Sequence, residues 1–138
     1  METDSIVIYF LTIVTSAGII IALFFRFRYA LSDLELKITG LWSNENNTMR
    51  ILIYALESQF QGEVVWTKDI DEKILGSGII RNMSLRYFSL GEGTYIDPIT
   101  KNQFKFKLKL KNTGRLYLRL FEKSSHSLLK VEEWKQVR

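Results

Sequence analysis

Residues 6–25 read IVIYFLTIVTSAGIIIALFF, twenty positions with sixteen apolar side chains and no charge. No other feature restricts the chain so strongly. At about 1.5 Å per residue such a run makes roughly 30 Å of helix, the thickness of a bilayer's hydrocarbon core. Lipid offers the backbone no partners, so an isolated apolar segment is expected as a helix that satisfies its own polar groups. The hydroxyls of Thr12, Thr15 and Ser16 can bond back to helix carbonyls. A buried core helix is disfavoured, because a chain of 138 residues has too little left to wrap a helix apolar on every side. A cleaved export signal wants positive charge before a shorter apolar run and small residues after it. Here Glu2 and Asp4 precede the run and Arg26-Phe27-Arg28-Tyr29 follows it. The expectation is a retained single-pass anchor in the bilayer. Arg26 and Arg28, with no Lys or Arg before the span, predict the N-terminus outside and the C-terminal domain in the cytoplasm. Gly18 and Ala22 lie at a spacing that lets a second helix approach, and small residues are also simply common in membrane helices.

The remainder is different in kind. It carries all 19 Lys and Arg, against the 15 acidic residues less Glu2 and Asp4. With no Cys and one His, a disulfide framework, a thiolate metal site and a multi-histidine centre are all excluded. No Pro/Gly/Ser-rich linker separates anchor from domain. We therefore divide the chain into residues 1–33, an anchor and juxtamembrane helix, and residues 34–138, a folded domain.

That domain reads as β. Leu34, Leu36 and Ile38 alternate with polar neighbours and predict an extended lead-in. Met49, Ile51, Ile53 and Ala55 alternate with Arg50, Leu52, Tyr54 and Leu56. Further runs are Gln61 to Trp66, Gly78-Ile79-Ile80 and Gly93 to Ile96, the last closed by Asp97-Pro98. Asp97 is expected to form that turn. The clearest alternation sets Phe104, Phe106, Leu108 and Leu110 against Lys105, Lys107, Lys109 and Lys111. Asn112-Thr113-Gly114 then turns the chain into Leu116, Leu118 and Leu120, so residues 105–121 form one hairpin, apolar inside and lysine-rich outside. A last run extends from Leu129 to Val137. Short, evenly spaced strands between turn signals predict a mainly β fold: one transmembrane helix followed by a small antiparallel β-barrel.

Gly40-Leu41-Trp42 resembles the Gly-x-Trp signature of lipocalin-like proteins. The order of features is similar to that of the bacterial DUF2147 family: Gly-x-Trp, then Gly62-Glu63-Val64-Val65-Trp66, then Gly93-Thr94-Tyr95-Ile96-Asp97-Pro98. Lys101, the Phe104–Leu110 strand, Leu116 to Arg119 and Trp134 complete it. The resemblance spans residues 40–138. It implies a lipocalin-like barrel and, since the family typically carries an export signal, the opposite compartment from the one that the flanking charge predicts. Trp42 and Trp134 are expected to close the barrel, with Arg119 or Lys135 stacked on Trp42.

Little in the chain points to catalysis. His126 sits between two serines in a predicted turn, with no carboxylate set to orient it. Asp69, Asp71 and Glu72 lack the remaining ligands of a calcium loop. No catalytic, cofactor or metal site is expected, and no nucleic-acid partner. The row Lys101, Lys105, Lys107, Lys109, Lys111 and Arg115 is read as ordinary solubility and edge protection, with anionic lipid or an acidic partner as the functional reading. The favoured function is a non-catalytic binding module that holds a small apolar ligand or lipid against Trp66, Tyr95, Phe104 and Phe106 in the barrel. The other is an accessory subunit of a membrane protein complex.

Overall fold

In the computed structural model, residues 2–68, 70–86 and 91–138 are described. The fold is mainly β, a long N-terminal apolar helix followed by a closed antiparallel barrel of eight strands. The chain divides into two compact units, one ending at Asp33 and the other Leu34–Arg138.

Helix α1 covers Glu2–Ile38. By length and composition it is long and apolar enough to cross a membrane. The three hydroxyls within its apolar run bond to the helix's own backbone. Thr12 Oγ1 donates to the Tyr9 carbonyl at 2.8 Å, Thr15 Oγ1 to that of Leu11 at 2.9 Å, and Ser16 Oγ to that of Ile13 at 2.9 Å. The hydroxyls thus present no unpaired donor to an apolar surrounding.

The extended lead-in expected at residues 34–38 is instead the last turn of α1. Leu34 and Ile38 lie one helical turn apart and both face the barrel core, so the alternation is satisfied by a helical face. The helix stops at Thr39, whose hydroxyl returns to the Glu35 carbonyl at 3.0 Å, and Gly40 then takes φ 132°, a value side chains rarely tolerate, to turn the chain into a strand.

The strands are β1 (Gly40–Asn44), β2 (Met49–Leu56), β3 (Gln59–Thr67), β4 (Gly78–Ser84), β5 (Gly91–Ile96), β6 (Gln103–Leu110), β7 (Arg115–Phe121) and β8 (Leu128–Gln136). Each pairs with the next, and β8 pairs back to β1 through Trp42↔Gln136, Ser43↔Lys135 and Asn44↔Trp134. The period-two pattern places Met49, Ile51 and Ile53 of β2, Phe106 and Leu108 of β6, and Leu116, Leu118 and Leu120 of β7 inside. Asp97 forms the expected turn: its Oδ1 accepts from the backbone of Ile99 at 2.8 Å and of Thr100 at 2.9 Å. Asp71 does similar work, capping the short 3-10 turn Glu72–Ile74 through Lys73 N, whereas Asp69 lies outside the described residues.

Trp42 and Trp134 are both buried, but the expected cation stack on Trp42 is not formed. Arg119 and Lys135 fall at outward positions of their strands and are exposed. Trp42 points inward, and its indole N–H donates to the Ile38 carbonyl at 2.8 Å. That carbonyl is one of the last four of the helix, which have no partner within it. Strand parity separates the cation from the ring, and the helix end takes its place.

Candidate functional site

The four aromatic residues expected inside the barrel do not share one environment. Tyr95 and Phe106 belong to the buried core, at inward positions of β5 and β6. Phe104, the register partner of Tyr95, is partly buried against it, the two rings tilted with centroids 6.4 Å apart. Trp66 is on the other side of the wall. A register shift between Arg50 and Ile51 leaves Val65 as the extra residue of β3 and sets Trp66 opposite Arg50. Arg50 alternates with the inward Met49 and Ile51, so the pair faces outward, the guanidinium 4.6 Å from the Trp66 ring centre. One bulge moved it, and residue counting does not foresee a bulge.

The interior is packed with side chains. Gly93 faces Phe106 across β5 and β6, and a Cβ built on Gly93 would come within 3.0 Å of that ring and 2.7 Å of the Arg81 carbonyl oxygen. A Cβ on Gly91 would meet the Met83 sulfur at 2.7 Å, and one on Gly62 would meet Ile80 Cβ at 3.0 Å. These glycines are the complement of bulky neighbours, as expected where a small barrel is filled by alternating large and small residues.

Strand β8 is polar at two positions of inward parity. Lys130 and Glu132 stand opposite Leu120 and Leu118 and pair with each other at 2.9 Å, Glu132 half-buried and Lys130 exposed. Burial is the main cause, and the carboxylates of Glu132 and Asp97 the lesser ones, that push the Tyr95 phenol above its ordinary value. Tyr95 is therefore a neutral hydroxyl throughout the physiological range. A raised pKa contributes stability that is present below the unfolded-state value and is lost as pH rises toward the folded one. Melting temperature should accordingly fall above about pH 10, where the unfolded chain ionises this phenol and the folded chain does not. A Tyr95→Phe variant should show a flatter alkaline decline in thermal melts over the same range.

Open cavities lie around this packed centre. One, of about 670 Å³, lies on the outer side of β5–β7 among Thr94, Lys105, Lys107, Phe121 and His126. A second of about 560 Å³ lies between Leu36, Trp42 and Leu110 at one end of the barrel. A third of about 200 Å³ borders Met49, Glu132 and Trp134 beside the β1–β8 closure.

The first opens on a basic wall that the alternation of β6 and β7 creates. Lys105, Lys107, Lys109, Arg115 and Arg119 are exposed there, with the half-buried rings of Tyr117 and Phe121 among them. Lys107 Nζ sits 5.8 Å from the centre of Phe121, and Lys111 Nζ 3.6 Å from that of Tyr117. On adjoining β8, Glu133 is engaged by Arg115, whose hydrogen bond holds the Glu133 carboxyl below the usual carboxylate range. On adjoining β5, Glu92 faces Lys107 and also reaches Arg86 at 3.8 Å. His126 occupies the Glu122–Ser127 turn with φ 55°, its N–H donating to the Glu122 carbonyl at 3.0 Å. In that turn the Ser125, Ser124 and Ser127 hydroxyls lower the Glu122 carboxyl's pKa. The turn is thus internally satisfied, and His126 presents its ring at the groove's edge.

Comparison with protein-family models, with curated proteins and with solved structures found no match.

Proposed function

We propose that this chain is a membrane-anchored, non-catalytic accessory subunit whose barrel acts through its outer surface within a membrane protein complex. The observation that carries the reading is the filled interior. Phe106, Met83 and Ile80 occupy the space opposite three inward-facing glycines, where an enclosed ligand would have to sit. Helix Glu2–Ile38 is read as a retained span, on the acidic residues before it and the arginines after it, with the N-terminus outside and the barrel in the cytoplasm. The up-and-down order of eight strands supports a lipocalin-like barrel of the DUF2147 kind.

A second reading, a binding module for a small apolar ligand or lipid, is favoured by the cavity between Leu36, Trp42 and Leu110, which is of ligand size. Purification of the full chain in mild detergent, followed by native mass spectrometry, separates the two. The expected result is stoichiometric membrane subunits and an empty barrel. A retained small molecule without such subunits overturns the accessory reading in favour of the second. Protease added to intact cells should spare the barrel, and its digestion would reverse the orientation.

A further inference from the structure

The β6–β7 wall sets five cations, Lys105, Lys107, Lys109, Arg115 and Arg119, against two carboxylates on the flanking strands, Glu92 and Glu133, both of which already have basic neighbours. Lys107 and Arg119 are direct register partners, an arrangement that like charges oppose. Within the fold Arg115 forms an ion pair with Glu133, and most of the positive charge on this face is directed to solvent. A wall of this kind is complementary to a dense, external, anionic surface, toward which the attraction falls off within a Debye length.

We propose that the outer face of β6 and β7 docks on the anionic headgroups of the membrane that holds helix Glu2–Ile38. The inference rests on the anchor reading above. The fourteen residues 26–39 are all that join the end of the apolar run to β1, so the covalent tether keeps headgroup charge at high effective concentration for the barrel. Single-stranded nucleic acid fits less well. It needs aromatic faces on which bases can stack, and the rings of Phe121 and Tyr117 already lie under Lys107 and Lys111. A flat lipid surface needs only the cations.

The test uses the full chain reconstituted in nanodiscs. One set is phosphatidylcholine alone, and the other contains phosphatidylserine at about one part in four. The readout is the rate at which an amine-reactive reagent labels each lysine, followed by mass spectrometry. Lys105, Lys107 and Lys109 should label about threefold more slowly in the anionic discs, and the protection should vanish near 1 M salt, where the Debye length is about 3 Å. Lys68 and Lys73, which belong to neither strand, should label alike in both.

In the Lys109→Glu/Arg119→Glu variant, Lys105 and Lys107 should lose their protection. The new carboxylate at position 119 faces Lys107 across the ladder, which favours folding, and Lys105→Gln/Lys109→Gln serves as a milder variant that should show partial loss. Equal labelling in the two lipids overturns the proposal. So does equal protection by inorganic phosphate in phosphatidylcholine discs, which would mark a small-anion site, or protection by a single-stranded oligonucleotide alone. A chain that never incorporates into the discs overturns the anchor reading itself, an outcome distinct from incorporation without lipid-dependent protection.

Discussion

Trp42→Ala is expected to lower the stability of the barrel by about 3–5 kcal/mol, the loss that accompanies truncation of a fully buried aromatic side chain. Trp42 has no exposed surface, and its indole N–H is the partner of the Ile38 carbonyl at the end of α1. Removing the ring empties one end of the core and strands that carbonyl. Trp42→Phe retains most of the apolar contact but no donor, and should cost about 1–3 kcal/mol, the penalty for a buried acceptor left unpaired. Urea unfolding of the full chain in detergent, followed by far-ultraviolet circular dichroism, measures both. If Trp42→Phe unfolds at the wild-type midpoint, the helix end is not held by this hydrogen bond.

Gly93→Ala is the second large effect. Its new methyl would lie 2.7 Å from the Arg81 carbonyl oxygen and 3.1 Å from Met83 Cα, both backbone atoms of β4. Neither can move without parting β4 from β5, so a loss of about 3 kcal/mol is expected, the upper end of usual overpacking costs. Gly91→Ala provides the contrast. The atom it would meet at 2.7 Å is the Met83 sulfur, on a thioether side chain that can swing aside. The same urea titration should rank Gly93→Ala well below Gly91→Ala. Equal midpoints would mean that the two strands are not in the tight register described.

These two residues also mark how much was legible beforehand. The strands β2, β6 and β7 could be read from alternation because their inward residues are apolar and, on β6, the residues between them are lysines. Asp97 could be read as a turn former because its chemistry is local. Residues 34–38 could not. Leu34, Leu36 and Ile38 are two apart, which suits a strand, but Leu34 and Ile38 are also one helical turn apart, and a short segment satisfies both periods. The barrel core chose between them by burying Ile38 while Leu36 stayed exposed.

The candidate site divides along the same line. Tyr95, Phe104 and Phe106 could be placed inside from parity alone. Trp66 could not, because a bulge between Arg50 and Ile51 reverses the parity of everything beyond it and no residue type announces it. The basic wall was visible as a lysine row on β6. Arg115 already belonged to that row; that Arg119 joins it, while Glu133 and Glu92 flank it, depends on which strands become neighbours and in what register.

What the order of residues decides unaided is therefore whatever acts within a few positions: the apolar helix, the alternating strands, the turns and the sign of each face. Only the closed barrel decides which rings meet, that glycines stand opposite Phe106 and Met83, and that the Trp42 indole finds the Ile38 carbonyl. Those contacts join positions far apart along the chain or across a bend, and their energies exist only once the surrounding side chains have excluded water and fixed the register.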